Sequence, residues 1–129
     1  MGNGTGIGRV RGLGSAHHGA HHWIVQRITA AGNLVLVLWF LFSIVRLPSL
    51  DYATVTAWIG SPLVATPLIL LVVSTFWHLR LGMQVFIEDY VHDEGLKIAA
   101  LVALTFYAIG GGALAMFSIV RIALAGVAQ

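Results

Sequence analysis

In the segment His78-Leu-Arg80-Leu-Gly82-Met-Gln-Val-Phe-Ile-Glu88-Asp89-Tyr90, a run of apolar residues acquires an imidazole and a guanidinium and then ends in two carboxylates and a phenol. Ionisable side chains inside so apolar a stretch are functional candidates, because the interior of a bilayer penalises them. At roughly 100° per residue, Gly82 lies about 40° from His78 and Asp89 about 20° from it, so the three share one face of a helix while Arg80 points away. A rise of about 1.5 Å per residue stands Asp89 some 16 Å above His78. One face therefore carries an imidazole at depth, a gap at Gly82 and a carboxylate at the surface.

A neutral imidazole is a good axial ligand to haem iron, and a glycine one turn away lets the edge of a flat macrocycle lie against the backbone. The plainer alternative is that His78 hydrogen-bonds a neighbouring helix. The other five histidines lie in or near polar segments. A haem with two axial ligands would therefore draw its second from another chain, and an obligate partner subunit is expected.

Three further features carry a chemical and a structural reading side by side. Arg27 sits one turn inside an apolar run, where it can pair with an anionic group such as a haem propionate or Asp89, or snorkel to the headgroups. Tyr90 can donate a hydrogen bond to a carbonyl ligand, or simply anchor the chain at the interface. The run His17-His18-Gly-Ala-His21-His22 looks like a metal patch but offers no carboxylate or thiolate, so adventitious binding or a solvated face is the expectation.

The elements that must position these residues follow from composition. The chain has 129 residues, 58% hydrophobic and only 9% charged, with a mean hydropathy of +0.89, whereas a soluble domain carries about 25% charged residues. At about 20 apolar residues per crossing there is room for three spans and no separate catalytic domain. Seven basic against five acidic residues form no basic stripe, which argues against a nucleic-acid surface. The absence of cysteine excludes thiolate metal sites and cysteine-bound iron–sulfur clusters from this chain.

The expectation is an all-α membrane protein with transmembrane helices at about 22–46, 61–88 and 97–122 and a short interfacial segment at 52–59. Residues 17–129 make up the transmembrane anchor domain, and residues 1–16, dominated by glycine, form a flexible tail. No signal or transit peptide is read in the N-terminal residues. Ser61-Pro62 is a good helix opening, a serine oxygen to cap and a proline at the first helical position, while Pro67 threatens a kink. Gly110-Gly111-Gly112 in the third span permits a neighbouring helix to approach closely. Arg9, Arg11, Arg27 and Lys97 lie on one side against Arg46 and Arg121 on the other, which puts the N-terminus in the cytoplasm and the C-terminus in the periplasm.

With these residues in view, His78-x-x-x-Gly82 followed by Glu88-Asp89-Tyr90-Val91 resembles the small hydrophobic membrane-anchor subunit of bacterial succinate dehydrogenase. A second match, Gly14-Ser15-Ala16 leading to His22-Trp23-x-x-Gln26-Arg27-x-Thr29-Ala30, resembles the start of the first helix in that subunit. The resemblance covers most of the chain, although only about 20 residues are individually diagnostic; the paired histidines at 17, 18, 21 and 22 exceed the family pattern, and the glycine-rich leader has no counterpart in it.

The resemblance implies an anchor in the bacterial inner membrane that works with a flavoprotein subunit, an iron–sulfur subunit and a second, cytochrome b-type anchor subunit, together holding haem b and reducing ubiquinone. By that likeness His78 is an axial haem ligand with Gly82 beside the macrocycle, Tyr90 hydrogen-bonds a quinone oxygen, Asp89 is its acidic neighbour and Arg27 lies near the haem propionates. A fumarate reductase anchor and a cofactor-free assembly protein remain the alternatives, while a small transporter is disfavoured by the absence of a lined polar pathway or an internal repeat.

Overall fold

With no water in the hydrocarbon layer to take up free N–H and C=O groups, long apolar segments coil into helices that satisfy their own backbone. The computed structural model describes residues 19–127 in four helices: α1 (Gly19–Val45), α2 (Tyr52–Gly60), α3 (Pro62–Tyr90) and α4 (Glu94–Val127). The segment 1–16, Arg9, Arg11 and the pair His17-His18 lie outside the described residues. Helices α1, α3 and α4, of 27, 29 and 34 residues, are long and apolar enough to cross a membrane. At about 1.5 Å per residue each exceeds a hydrocarbon core of about 30 Å, so the ends extend into the headgroup layers.

The helix starts are set by short polar side chains. The Asp51 carboxylate accepts the Thr54 backbone N–H at 2.8 Å and opens α2. The Ser49 hydroxyl, the Thr54 N–H and the Thr54 hydroxyl together hold the Asp51 carboxyl down at about 2. Ser61 behaves differently from the expectation. Its side chain makes no cap bond; its carbonyl instead accepts the N–H groups of Val64 and Ala65 at 2.9 and 2.8 Å, with Pro62 at the first helical position. Pro67 lies inside α3, which stays helical through it.

The connection between the last two spans is shorter than the polar run Glu88 to Gly95 suggests. Helix α3 continues through Glu88 and Asp89 to Tyr90, and Gln84 donates to Glu88 at 2.8 Å across that final turn. Helix α4 starts at Glu94 because Asp93 caps it, its Oδ1 accepting from the Leu96 N–H at 2.7 Å and its carbonyl from the Lys97 N–H at 2.9 Å. Only Val91, His92 and Asp93 remain between the two helices.

Helix α3 is the centre of the bundle. It packs against α1 on one side and α4 on the other, while α1 and α4 share no packing contact among the described residues. Helix α2 lies against α3 and α4 at the end away from Tyr90, and its Trp58 stacks on Trp39 of α1, ring centroids 6.4 Å apart. Buried apolar residues are few (Ala65, Leu68, Leu81, Ile87 and Ala108), while large side chains such as Leu34, Phe42, Phe106 and Phe117 are exposed. That distribution suits lipid as the solvent, in which helices associate by close packing and hydrogen bonds rather than by hiding apolar surface.

The glycine triplet divides its labour. A Cβ on Gly111 would come 2.7 Å from Phe76 Cε1, on Gly112 it would meet the same ring at 3.6 Å, and on Gly110 it would meet nothing within 4 Å. Close approach of α3 to α4 therefore needs glycine at 111, where the Phe76 ring, itself 6.1 Å from that of Tyr107, fills the space. Gly111→Ala is expected to destabilise the detergent-solubilised protein by about 1–3 kcal/mol through overpacking, and Phe76→Leu in the same chain to restore much of the loss. Gly110→Ala, whose Cβ would meet nothing, should hold or raise the thermal midpoint, since alanine favours a helix interior over glycine by about 1 kcal/mol.

Candidate functional site

The interface of α1 with α3 is a seam of polar groups in otherwise apolar helices. On α1, Gln26, Thr29 and Asn33 recur at spacings of three and four; on α3, Ser74, His78 and Gly82 recur every fourth residue, with Thr75 beside them. Thr29 Oγ1 and His78 Nδ1 are 3.0 Å apart. One turn away, the Ser74 hydroxyl donates to the Thr29 carbonyl at 3.3 Å, beside Gly32, whose Cβ if present would make ordinary contact with Ser74 Oγ at 3.6 Å. The Thr75 hydroxyl donates to Asn33 Oδ1 at 3.4 Å. Hydrogen bonds between membrane helices are each worth about 0.6 kcal/mol on average, so the seam contributes register as much as strength.

At the end where α1 begins, the two helices diverge around a cavity of about 480 Å³ lined by His22, Trp23, Gln26, Arg27, His78 and Val85, together with Ala30. His78 is half-buried. The Arg27 guanidinium lies over the Trp23 ring, 5.3 Å from its centroid, and among the described residues the ion pair formed is Lys97 with Glu94, at 3.3 Å; Arg27 is not paired with Asp89. Gln26 Oε1 is buried and has no hydrogen-bond donor. An orphaned acceptor in a half-buried site costs about 1–3 kcal/mol unless a ligand, a water or another chain supplies the donor.

Two sequence-derived candidates, His78 and Arg27, thus share one cavity, and Gly82 adjoins it. A Cβ on Gly82 would meet Gln26 Nε2 at 3.6 Å, so the space beside the glycine opens onto the α1 amide. Tyr90 and Asp89 are elsewhere, on the last turn of α3. Tyr90 is 68% exposed, its ring stacked on Phe86 at 4.7 Å and its carbonyl 3.1 Å from His92 Nδ1. Asp89 is exposed beside it. Neither lines the cavity.

Arg80 faces the opposite side of α3. Its Nε–H donates to Thr105 Oγ1 of α4 at 3.4 Å, and it closes one end of a second, apolar cavity of about 480 Å³ that runs past Trp77, Ala108 and Gly112 to Met116. Among the described residues no group of three or more His, Cys, Asp or Glu side chains could hold a bare metal ion.

Gln26 and Thr29 had no role assigned from sequence, and His22, expected on a solvated face, is half-buried and lines the cavity. Their signal was present in the polar periodicity of α1, where amide and hydroxyl groups fall on one face of a helix that otherwise has no need of them. Gly82→Ala should be tolerated, since its Cβ would make ordinary contact with Gln26, whereas Gly82→Leu should force α1 from α3 and lower the thermal midpoint of the solubilised protein.

Residues 1–112 match the family described as the succinate dehydrogenase/fumarate reductase transmembrane subunit. The chain is 33% identical to the succinate dehydrogenase hydrophobic membrane anchor subunit of Rickettsia bellii, over 80% of this chain and 82% of that one. It is 28% identical to the same subunit of Rickettsia conorii, again over 80% and 82%. It is 30% identical to the succinate dehydrogenase membrane anchor subunit of Reclinomonas americana, over 70% and 78%. No solved structure matches the chain. The family match over residues 1–112 and these relatives, together with three apolar spans, show that the chain belongs to the succinate dehydrogenase/fumarate reductase transmembrane subunit family.

Proposed function

We propose that this succinate dehydrogenase membrane anchor supplies His78 as one axial ligand of a haem b and, through Tyr90 and Asp89, part of a ubiquinone-reduction site near the cytoplasmic surface. The observation that carries the reading is the setting of His78: a half-buried imidazole, tied through Nδ1 to Thr29, in a cavity that also holds the Arg27 guanidinium. The donor set suits the group. Nε2 is left for iron, Arg27 is an anion partner of the kind that propionates require, and Gly82, one turn from His78, faces the Gln26 amide that lines the same cavity. Bound haem would supply a one-electron store whose potential depends on its axial ligands and its burial.

Two imidazoles line the cavity, His22 in the first turn of α1 and His78 within the span; by the family likeness the second axial ligand is read as belonging to a second, cytochrome b-type anchor subunit packed on the α1–α3 face. The orphaned Gln26 Oε1 is in keeping with a surface that another chain or a ligand completes. Electrons reach the quinone from an iron–sulfur subunit at the cytoplasmic surface, fed by a flavoprotein subunit that oxidises succinate. The Lys/Arg balance of the connections supports that orientation.

At the quinone, the Tyr90 hydroxyl donates a hydrogen bond to a carbonyl oxygen and stabilises the negative charge that develops there as electrons arrive. Its exposure at the end of α3 leaves that hydroxyl free for a ligand or for the iron–sulfur subunit to cover. The Asp89 carboxylate, beside it and open to water, relays protons to the same oxygen.

The purified complex should give a reduced-minus-oxidised spectrum of a b-type haem that His78→Leu alters or abolishes. Tyr90→Phe should lower quinone reduction about tenfold or more while succinate oxidation by an artificial acceptor is retained; an equal loss of both activities would contradict the assignment.

A further inference from the structure

The hydroxyl of Thr29 has one proton, and three neighbours compete for it. Its oxygen lies 2.9 Å from the Val25 carbonyl and 3.1 Å from the Gln26 carbonyl, both of which can only accept. The third neighbour is His78 Nδ1, at 3.0 Å. A threonine in mid-helix habitually donates to the carbonyl of the preceding turn. With the proton directed there, the oxygen presents a lone pair to His78, and the bond between them forms only if Nδ1 carries the hydrogen. That choice fixes the tautomer: Nδ1 is protonated and Nε2, across the ring, keeps the lone pair that a metal needs.

We propose that Thr29 is the positioning residue for His78, accepting its Nδ1–H so that the ring is held in the tautomer and orientation in which Nε2 ligates haem iron. The inference rests on the reading of His78 as an axial ligand and adds a residue that reading does not contain. The support is built into α1. The Ser74 hydroxyl, donating to the Thr29 carbonyl at 3.3 Å, holds the threonine level with the α3 turn that precedes His78. Partners outside the coordination shell that accept from a ligating imidazole fix its ring plane and raise its basicity. A more basic imidazole favours the ferric over the ferrous state, so Thr29 holds the haem potential down.

The test uses the whole purified complex, with haem content per flavin, the midpoint potential of the haem and the g-values of its oxidised low-spin resonance as readouts. Thr29→Val keeps the β-branched shape and removes the acceptor; it is expected to raise the midpoint potential and shift the g-values with haem still bound. Thr29→Ser keeps the hydroxyl and should match the wild type in all three. Should the valine variant fail to assemble, Thr29→Ala takes its place. An unchanged potential and unchanged g-values in the valine or alanine variant overturn the proposal, as does a failure of both to assemble while the serine variant does, since the hydroxyl would then serve to join α1 to α3. A wild-type complex without a b-haem signal, or one whose signal is indifferent to His78→Leu, overturns the ligand reading itself, whatever the Thr29 variants do.

Discussion

Three apolar helices in lipid have little reason to choose one arrangement over another, and the contact between Thr29 and His78 supplies one. Hydrocarbon does not solvate an imidazole or a hydroxyl, so each must find its partner within the protein. The pair meets at 3.0 Å, and Ser74, Gly32, Thr75 and Asn33 extend the match along the same two helices. A slip of one residue along α1 would turn Thr29 by about 100° and leave several polar groups unsatisfied at once. The register of α1 on α3 thus follows from polar pairing, which a uniformly apolar interface would leave open.

The other side of α3 is assembled differently. There the fit is steric, with Phe76 seated against Gly111 and Gly112 of α4, and polar contact comes down to Arg80 with Thr105. The two faces suit two tasks. The α3–α4 face is a shape match that gives the bundle a fixed backbone, and α1 is held to α3 by polar pairs, Thr29 with His78 among them. The result is a multi-pass protein of the bacterial inner membrane, an anchor that associates there with the other subunits of succinate dehydrogenase.

Much of this was legible in the sequence. The three spans follow from apolar runs with few charges, and the helical face shared by His78, Gly82 and Asp89 follows from spacing alone. The family could be read from the segment running from His78 to Val91 and from the one around Gln26 and Arg27. Helix ends were less legible, because they depend on which polar side chain wins the free backbone groups: Asp93 starts α4 at Glu94, and the Ser61 side chain, suited to capping, does not cap. Pairing between helices was not legible at all. Thr29 and Gln26 stood in a recognised motif, but residues 49 positions apart become neighbours only when two helices take up a particular rotation and register. The same holds for the three glycines, identical in sequence and unlike in surroundings.

On the proposed reading the chain carries part of a cofactor site, with His78, the Arg27 guanidinium and the unmatched Gln26 amide oxygen between α1 and α3, on a face that α4 does not cover. Completion by a second anchor is the central claim, and a structure of the purified complex at a resolution that separates side chains tests it most directly. A haem bound between this chain and the second anchor is expected, with His78 Nε2 on the iron and a histidine of the partner opposite. A cavity filled by protein or lipid alone, with His78 bonded only to neighbouring helices, would contradict it.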